Sequence, residues 1–158
     1  MKEGLTVAKF TYRMQNILDI KYKLEEQAKQ EYMNVRRRLN DAIDQLEYLK
    51  QRKNSYMDQY RLLVSKQLKL LEIEECKNAI IIMDEYIYDQ QQIVCRIEQE
   101  LEIAMQKMNV AMQERKIHEK LKEKQFEEFL LELNQEEAKE IDQLVSYQYN
   151  GNNSEEEV

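Results

Sequence analysis

Residues 18–63, LDIKYKLEEQAKQEYMNVRRRLNDAIDQLEYLKQRKNSYMDQYRLL, decide the fold. With Leu18 as the first core position of a heptad, the a and d positions are Leu18, Lys21, Glu25, Ala28, Tyr32, Val35, Leu39, Ala42, Leu46, Leu49, Lys53, Tyr56, Tyr60 and Leu63. Eleven of these fourteen are apolar or aromatic. A stripe that keeps a seven-residue period over so many turns marks a coiled-coil seam, because a helix on a globular core drifts with the 3.6-residue period. Ile17 and Leu24 widen the stripe near its start.

Carried forward unchanged, that register lands on mostly polar residues from Gln67 onward. A second series fits instead: Ile73, Cys76, Ile80, Met83, Ile87, Gln90, Val94, Ile97, Leu101, Ala104, Met108, Ala111, Arg115 and His118, again with eleven of fourteen apolar. The offset is one residue, which neither a stutter of four nor a stammer of three supplies. The chain is therefore expected to turn within residues 64–71, where Ser65 is the best local capping residue. Charge points to the same fold-back. Residues 1–66 carry 14 Lys and Arg against 9 Asp and Glu, whereas residues 67–158 carry 10 against 22. A basic arm and an acidic arm attract along the flanks of a seam.

Composition excludes most other answers. There is no Pro, and the two glycines, Gly4 and Gly151, stand near the ends. Sheet turns and phosphate-cradling loops need Gly for positive φ and close backbone approach. Charged residues make up 35% and Trp is absent, which suits a narrow seam and not a thick core. The longest aliphatic run, residues 79–83, is too short to span a bilayer, and no apolar leader opens the chain, so a soluble cytoplasmic protein is expected. Cys76 and Cys95 on one helix would stand roughly 30 Å apart, beyond reach of a disulfide.

The expected architecture is all-α: a long antiparallel two-helix coiled-coil hairpin with a disordered C-terminal tail. Its parts are an N-terminal extension over residues 1–9, a first helix over 10–64, a turn over 65–71, a second helix over 72–146 and an acidic tail over 147–158. The arms are unequal, roughly 80 Å and 110 Å at 1.5 Å per residue. Leu18 should lie near Ile117, leaving the segment from Leu121 to Ser146 to project with apolar residues that have no partner within the chain. Unpaired apolar surface of this kind marks an interaction site.

Little else in the sequence carries chemistry. Arg36, Arg37 and Arg38 point in three directions around a helix, and a net charge of −7 opposes a nucleic-acid footprint. His118, the only His, falls on the seam, and the Glu-x-x-His pattern of di-iron bundles is missing. No catalytic, metal or cofactor site is expected. The ten Tyr and eight Met mostly fill the seam and otherwise supply adaptable contact surface.

Several pieces of the chain add a resemblance. The opening from Ala8 to Lys21 (AKFTYRMQNILDIK) resembles the start of the flagellar export protein FliJ family in its Firmicutes form. Leu70-Leu71-Glu72-Ile73-Glu74-Glu75 with Asn78-Ala79-Ile80 resembles the stretch after that family's turn. Glu114-Arg115-Lys116, Glu119-Lys120-Leu121, Phe126-Glu127-Glu128-Phe129 and the run from Glu140 to Tyr147 resemble its C-terminal region. Met1–Val7 precedes the family's usual start, and the turn lacks the glycine often found there.

The resemblance implies a soluble part of the flagellar type III export apparatus, similar to the central stalk of rotary ATPases. It would sit at the cytoplasmic face of the membrane and hydrolyse no ATP itself. Implied partners are the hexameric export ATPase FliI, the export gate protein FlhA and export chaperones. Lys9, Arg13, Lys21, Leu121, Phe126, Phe129, Leu130 and Leu133 are the expected ATPase-facing residues. Leu68, Leu71, Ile73 and Ile80 are those expected for the gate. A generic coiled-coil scaffold or chaperone is the alternative reading, and an enzyme or metal bundle a distant third.

Overall fold

The computed structural model describes residues 8–66 and 69–153. Two α-helices account for nearly all of them, α1 (Gln15–Lys66) and α2 (Leu70–Asn153), and among the described residues there is no strand. The chain packs as two units, Lys23–Met112 and a terminal unit of Met1–Tyr22 with Gln113–Val158.

Within the Lys23–Met112 unit the helices run antiparallel. Glu31 pairs with Lys107 (3.7 Å), Arg38 with Glu100 (2.9 Å) and Lys53 with Asp84 (2.5 Å), so each step forward along α1 meets a step backward along α2. In the terminal unit, Lys21 meets Glu114 at 2.7 Å and the Lys122 ammonium donates to Gln15 Oε1 at 2.8 Å. Both pairings place Leu18 opposite the neighbourhood of Ile117.

Both heptad series are the seam. Every a and d position of the two helices is buried or half-buried. Val35, Ala42, Ile97 and Ala104 form the core cluster, with Tyr32, Leu39, Val94 and Leu101 packed against it. Ala42 and Ala104 place small side chains where the helices meet, and long residues beside them fill the space, as knobs do in holes. Among the described residues no large side chain is fully enclosed, which follows from a core only two helices thick.

The polar residues of the seam are mostly paired. Lys21 and Lys53 reach across to Glu114 and Asp84, and Glu25, only 4% exposed, holds Lys29 one turn on at 2.9 Å. The Gln90 amide donates to the Ala42 carbonyl at 2.9 Å, and the Cys76 thiol donates to the Tyr56 carbonyl at 3.4 Å. Side-chain bonds to the opposite backbone satisfy groups that a seam would otherwise bury without partners. Cys76 and Cys95 are both free thiols.

The element ends differ from the sequence expectation. α1 begins at Gln15 and not at residue 10: residues 8–12 are non-helical, and the Tyr12 carbonyl accepts the Gln15 N–H at 3.2 Å. α1 runs through Ser65, whose hydroxyl donates back to the Leu62 carbonyl at 2.9 Å inside the last turn. Of the expected turn, residues 67 and 68 lie outside the described residues. α2 continues through Asn153, past the expected boundary at Ser146, and the rest of the acidic tail lies outside the described residues. Extending a formed helix needs no new nucleus, so one Gly, which costs about 1 kcal/mol, does not stop it. Gly151 accordingly has no positive φ.

Candidate partner-binding surfaces

The terminal unit is built where the chain enters α1. Leu18 (2% exposed) and Tyr12 (6%) are its buried anchors, one on the helix and one before it. Phe10 reaches α2 and sits between Phe126 and Phe129, with ring centroids at 5.1 Å edge-on and 5.5 Å tilted. Phe126 and Phe129 lie 6.5 Å apart, so the three phenylalanines of the chain form one cluster.

A polar cluster adjoins it. Arg115 bonds Glu119 at 2.7 Å and lies 5.8 Å over the Tyr22 ring, while the Tyr22 hydroxyl also donates to Glu119. The hydrogen bond and charge of Lys21 hold the Glu114 carboxyl below its ordinary range. Two buried polar atoms here, Tyr12 Oη and His118 Nδ1, have no hydrogen-bond partner.

This arrangement corrects one expectation. The apolar residues from Leu121 onward are not all without a partner in the chain, because Phe10 packs on Phe126 and Phe129. Fold-back pairing already places residue 10 across from this stretch; what hid the contact was reading residues 10–14 as helix. Lys9 and Arg13 are exposed and hold no ion pair among the described residues, whereas Lys21 is engaged by Glu114. Leu121, Phe126 and Leu130 are 41%, 43% and 40% exposed, and Phe129 and Leu133 are half-buried.

The fully exposed part of α2 begins beyond Leu133. Residues 134–151 are all exposed, and Ile141 (60%), Leu144 (65%) and Tyr147 (82%) continue the side of the helix carrying Phe126, Leu130 and Leu133. Seven carboxylates and a single Lys occupy residues 126–153. The result is an acidic helix with an apolar stripe on this side, and with Leu131, Val145 and Tyr149 exposed on another.

The second surface lies in the Lys23–Met112 unit, near the ends of α1 and α2. Leu62, Val64, Leu70 and Leu71 are exposed there. A groove of about 500 Å³ beside them is lined by residues that include Tyr56, Leu62, Leu63, Cys76 and Ala79 and the acidic Glu72 and Glu75. Of the expected gate residues, Leu71 belongs to this exposed patch. Ile73 and Ile80 are half-buried on the seam, and Leu68 lies outside the described residues. Leu62 and Leu70, which share this patch with Leu71, were not among the expected gate residues.

Among the described residues, no group of three or more His, Cys, Asp and Glu is placed to hold a metal ion, and no helix is long and apolar enough to cross a membrane.

A model of the flagellar FliJ protein family matches residues 10–154. The chain belongs to that family. As a FliJ-family member it is a component of flagellar type III export. A putative YscO homolog, CT670, from Chlamydia trachomatis has a similar structure, with a TM-score of 0.69 at 19% identity over 92% of this chain and 99% of that one. That likeness extends the shared fold over nearly the whole FliJ-family chain. No curated protein matches the sequence.

Proposed function

We propose that this FliJ-family chain is a stalk-like adaptor that couples ATP hydrolysis by the export ATPase to protein export, without catalysis of its own. The terminal unit binds the hexameric ATPase FliI, and the exposed patch around Leu62, Leu70 and Leu71 binds the export gate FlhA. The protein would then act peripherally, at the cytoplasmic face of the membrane. The observation that carries this reading is the acidic helix beyond Leu133, whose apolar stripe is exposed among the described residues. A long helix with such a stripe gains stability only when a partner buries it. Its carboxylates suit a partner groove rimmed with Lys and Arg.

The paired substitution Phe126→Ala with Phe129→Ala tests the first assignment. The expected outcome is at least tenfold weaker binding to the ATPase, as burying aromatic anchors dominates such interfaces, with loss of motility and an unchanged helical circular-dichroism spectrum. Wild-type binding and motility would show that this end is not the ATPase contact. Leu70→Ser with Leu71→Ser plays the same part for the gate.

A further inference from the structure

We propose that the segment Ala8–Thr11 is a strap, hinged at the buried Tyr12, whose Phe10 occupies the root of the α2 partner face and competes with the partner for it. This inference rests on the reading that the α2 face binds the export ATPase.

Ahead of the buried anchor Tyr12, the strap is tied to α2 through the Phe10 ring. Residues 8–12 belong to no helix or strand, and the Tyr12 and Met14 carbonyls accept from the Gln15 and Leu18 N–H groups of α1. Tyr12 is buried, yet its hydroxyl bonds to nothing. The ring contacts of Phe10 with Phe126 and Phe129 are the aromatic tie to α2. Segments with few buried contacts and no backbone ladder open locally without unfolding the rest. Phe10 can therefore leave while α1 keeps its start at Gln15.

Phe10 also sits at a decisive place. Phe126, Leu130, Leu133, Ile141 and Leu144 follow one another at helical spacing on one side of α2. The strap covers only the first of these, and the face is open further on. A partner that engages the whole face needs the ground on which Phe10 rests. Seated, the strap reduces the fraction of molecules competent to bind, and apparent affinity falls by that fraction.

The full-length chain tests this in two ways. Phe10→Ala should bind the ATPase hexamer about five- to tenfold more tightly, the effect of removing competition from two aromatic contacts. Phe10→Trp gives the chain its only Trp, and its emission should shift to the red when the ATPase is added, as the ring leaves its seat for water. Unchanged or weaker binding by Phe10→Ala, or emission that stays blue with ATPase bound, would overturn the strap, since Phe10 would then be inert or part of the interface. Ile141→Ser with Leu144→Ser, far from the strap, tests the underlying reading separately. Wild-type ATPase binding by that variant would remove the partner face, and the strap's role with it.

Discussion

Glu114 shows how one seam-edge residue reports on the fold. Its carboxylate accepts from Lys21 at 2.7 Å, across from α1, and its pKa lies below the ordinary 4.5 because that bond and charge favour the ionised form. A carboxyl depressed by folding adds stability that is present above its unfolded pKa and is lost as pH falls through the folded value. Thermal melts should therefore show Glu114→Gln less stable than wild type at pH 7, with the difference closing below about pH 4. A constant difference across that range would show that the pair contributes nothing. Both side chains are partly exposed, and solvent screening keeps the effect small. Tyr12 is the opposite case. Its ring is well placed to anchor the entry to α1, but its hydroxyl is buried without a partner, a position that costs free energy.

At the level of the helices, small residues govern how closely the two can approach. Ala104 is 3% exposed and packs in one cluster with Val35, Ala42 and Ile97. Ala104→Leu should destabilise by about 1–3 kcal/mol, because the extra atoms must force the helices apart or adopt strained rotamers. Chemical denaturation would measure it, and a neutral result would mean that the seam has room there. Register depends on polar contacts as well. Gln90 bonds a backbone carbonyl of α1, and Lys53 bonds Asp84, so a slip of one residue would break both while burying the wrong face. This is the use of polar seam residues that a purely apolar stripe could not supply.

For the molecule as a whole, the arms answer each other within one chain. A basic first arm and an acidic second arm belong to one chain, and every a and d position of the two series is buried or half-buried. The seam leaves no unmet demand for a second copy. The melting midpoint should accordingly stay fixed over a hundredfold range of protein concentration. A midpoint that rises with concentration would show that stability draws on association between chains. What the arms do not cover is the acidic helix beyond Leu133 and the patch around Leu62, Leu70 and Leu71. Both are therefore where partners are placed in the proposed function.

The heptad series, the one-residue break between them and the charge difference of the arms were enough to specify an antiparallel helical hairpin and its seam. These are local, periodic properties, and periodicity survives in a sequence read by itself. The family was legible too, through short pieces in a particular order. Fold-back pairing sets residue 10 across from Phe126, but the non-helical path that seats the Phe10 ring there was not legible. That contact joins a non-helical segment to a helix more than a hundred residues away, and no period connects them. Where α1 starts was decided in the same way, by the burial of Tyr12 and its carbonyl's bond to Gln15, and not by helix propensity. The seam is a repeat, so the sequence determined it by itself. The strap is a single long-range contact, and only tertiary structure could decide that.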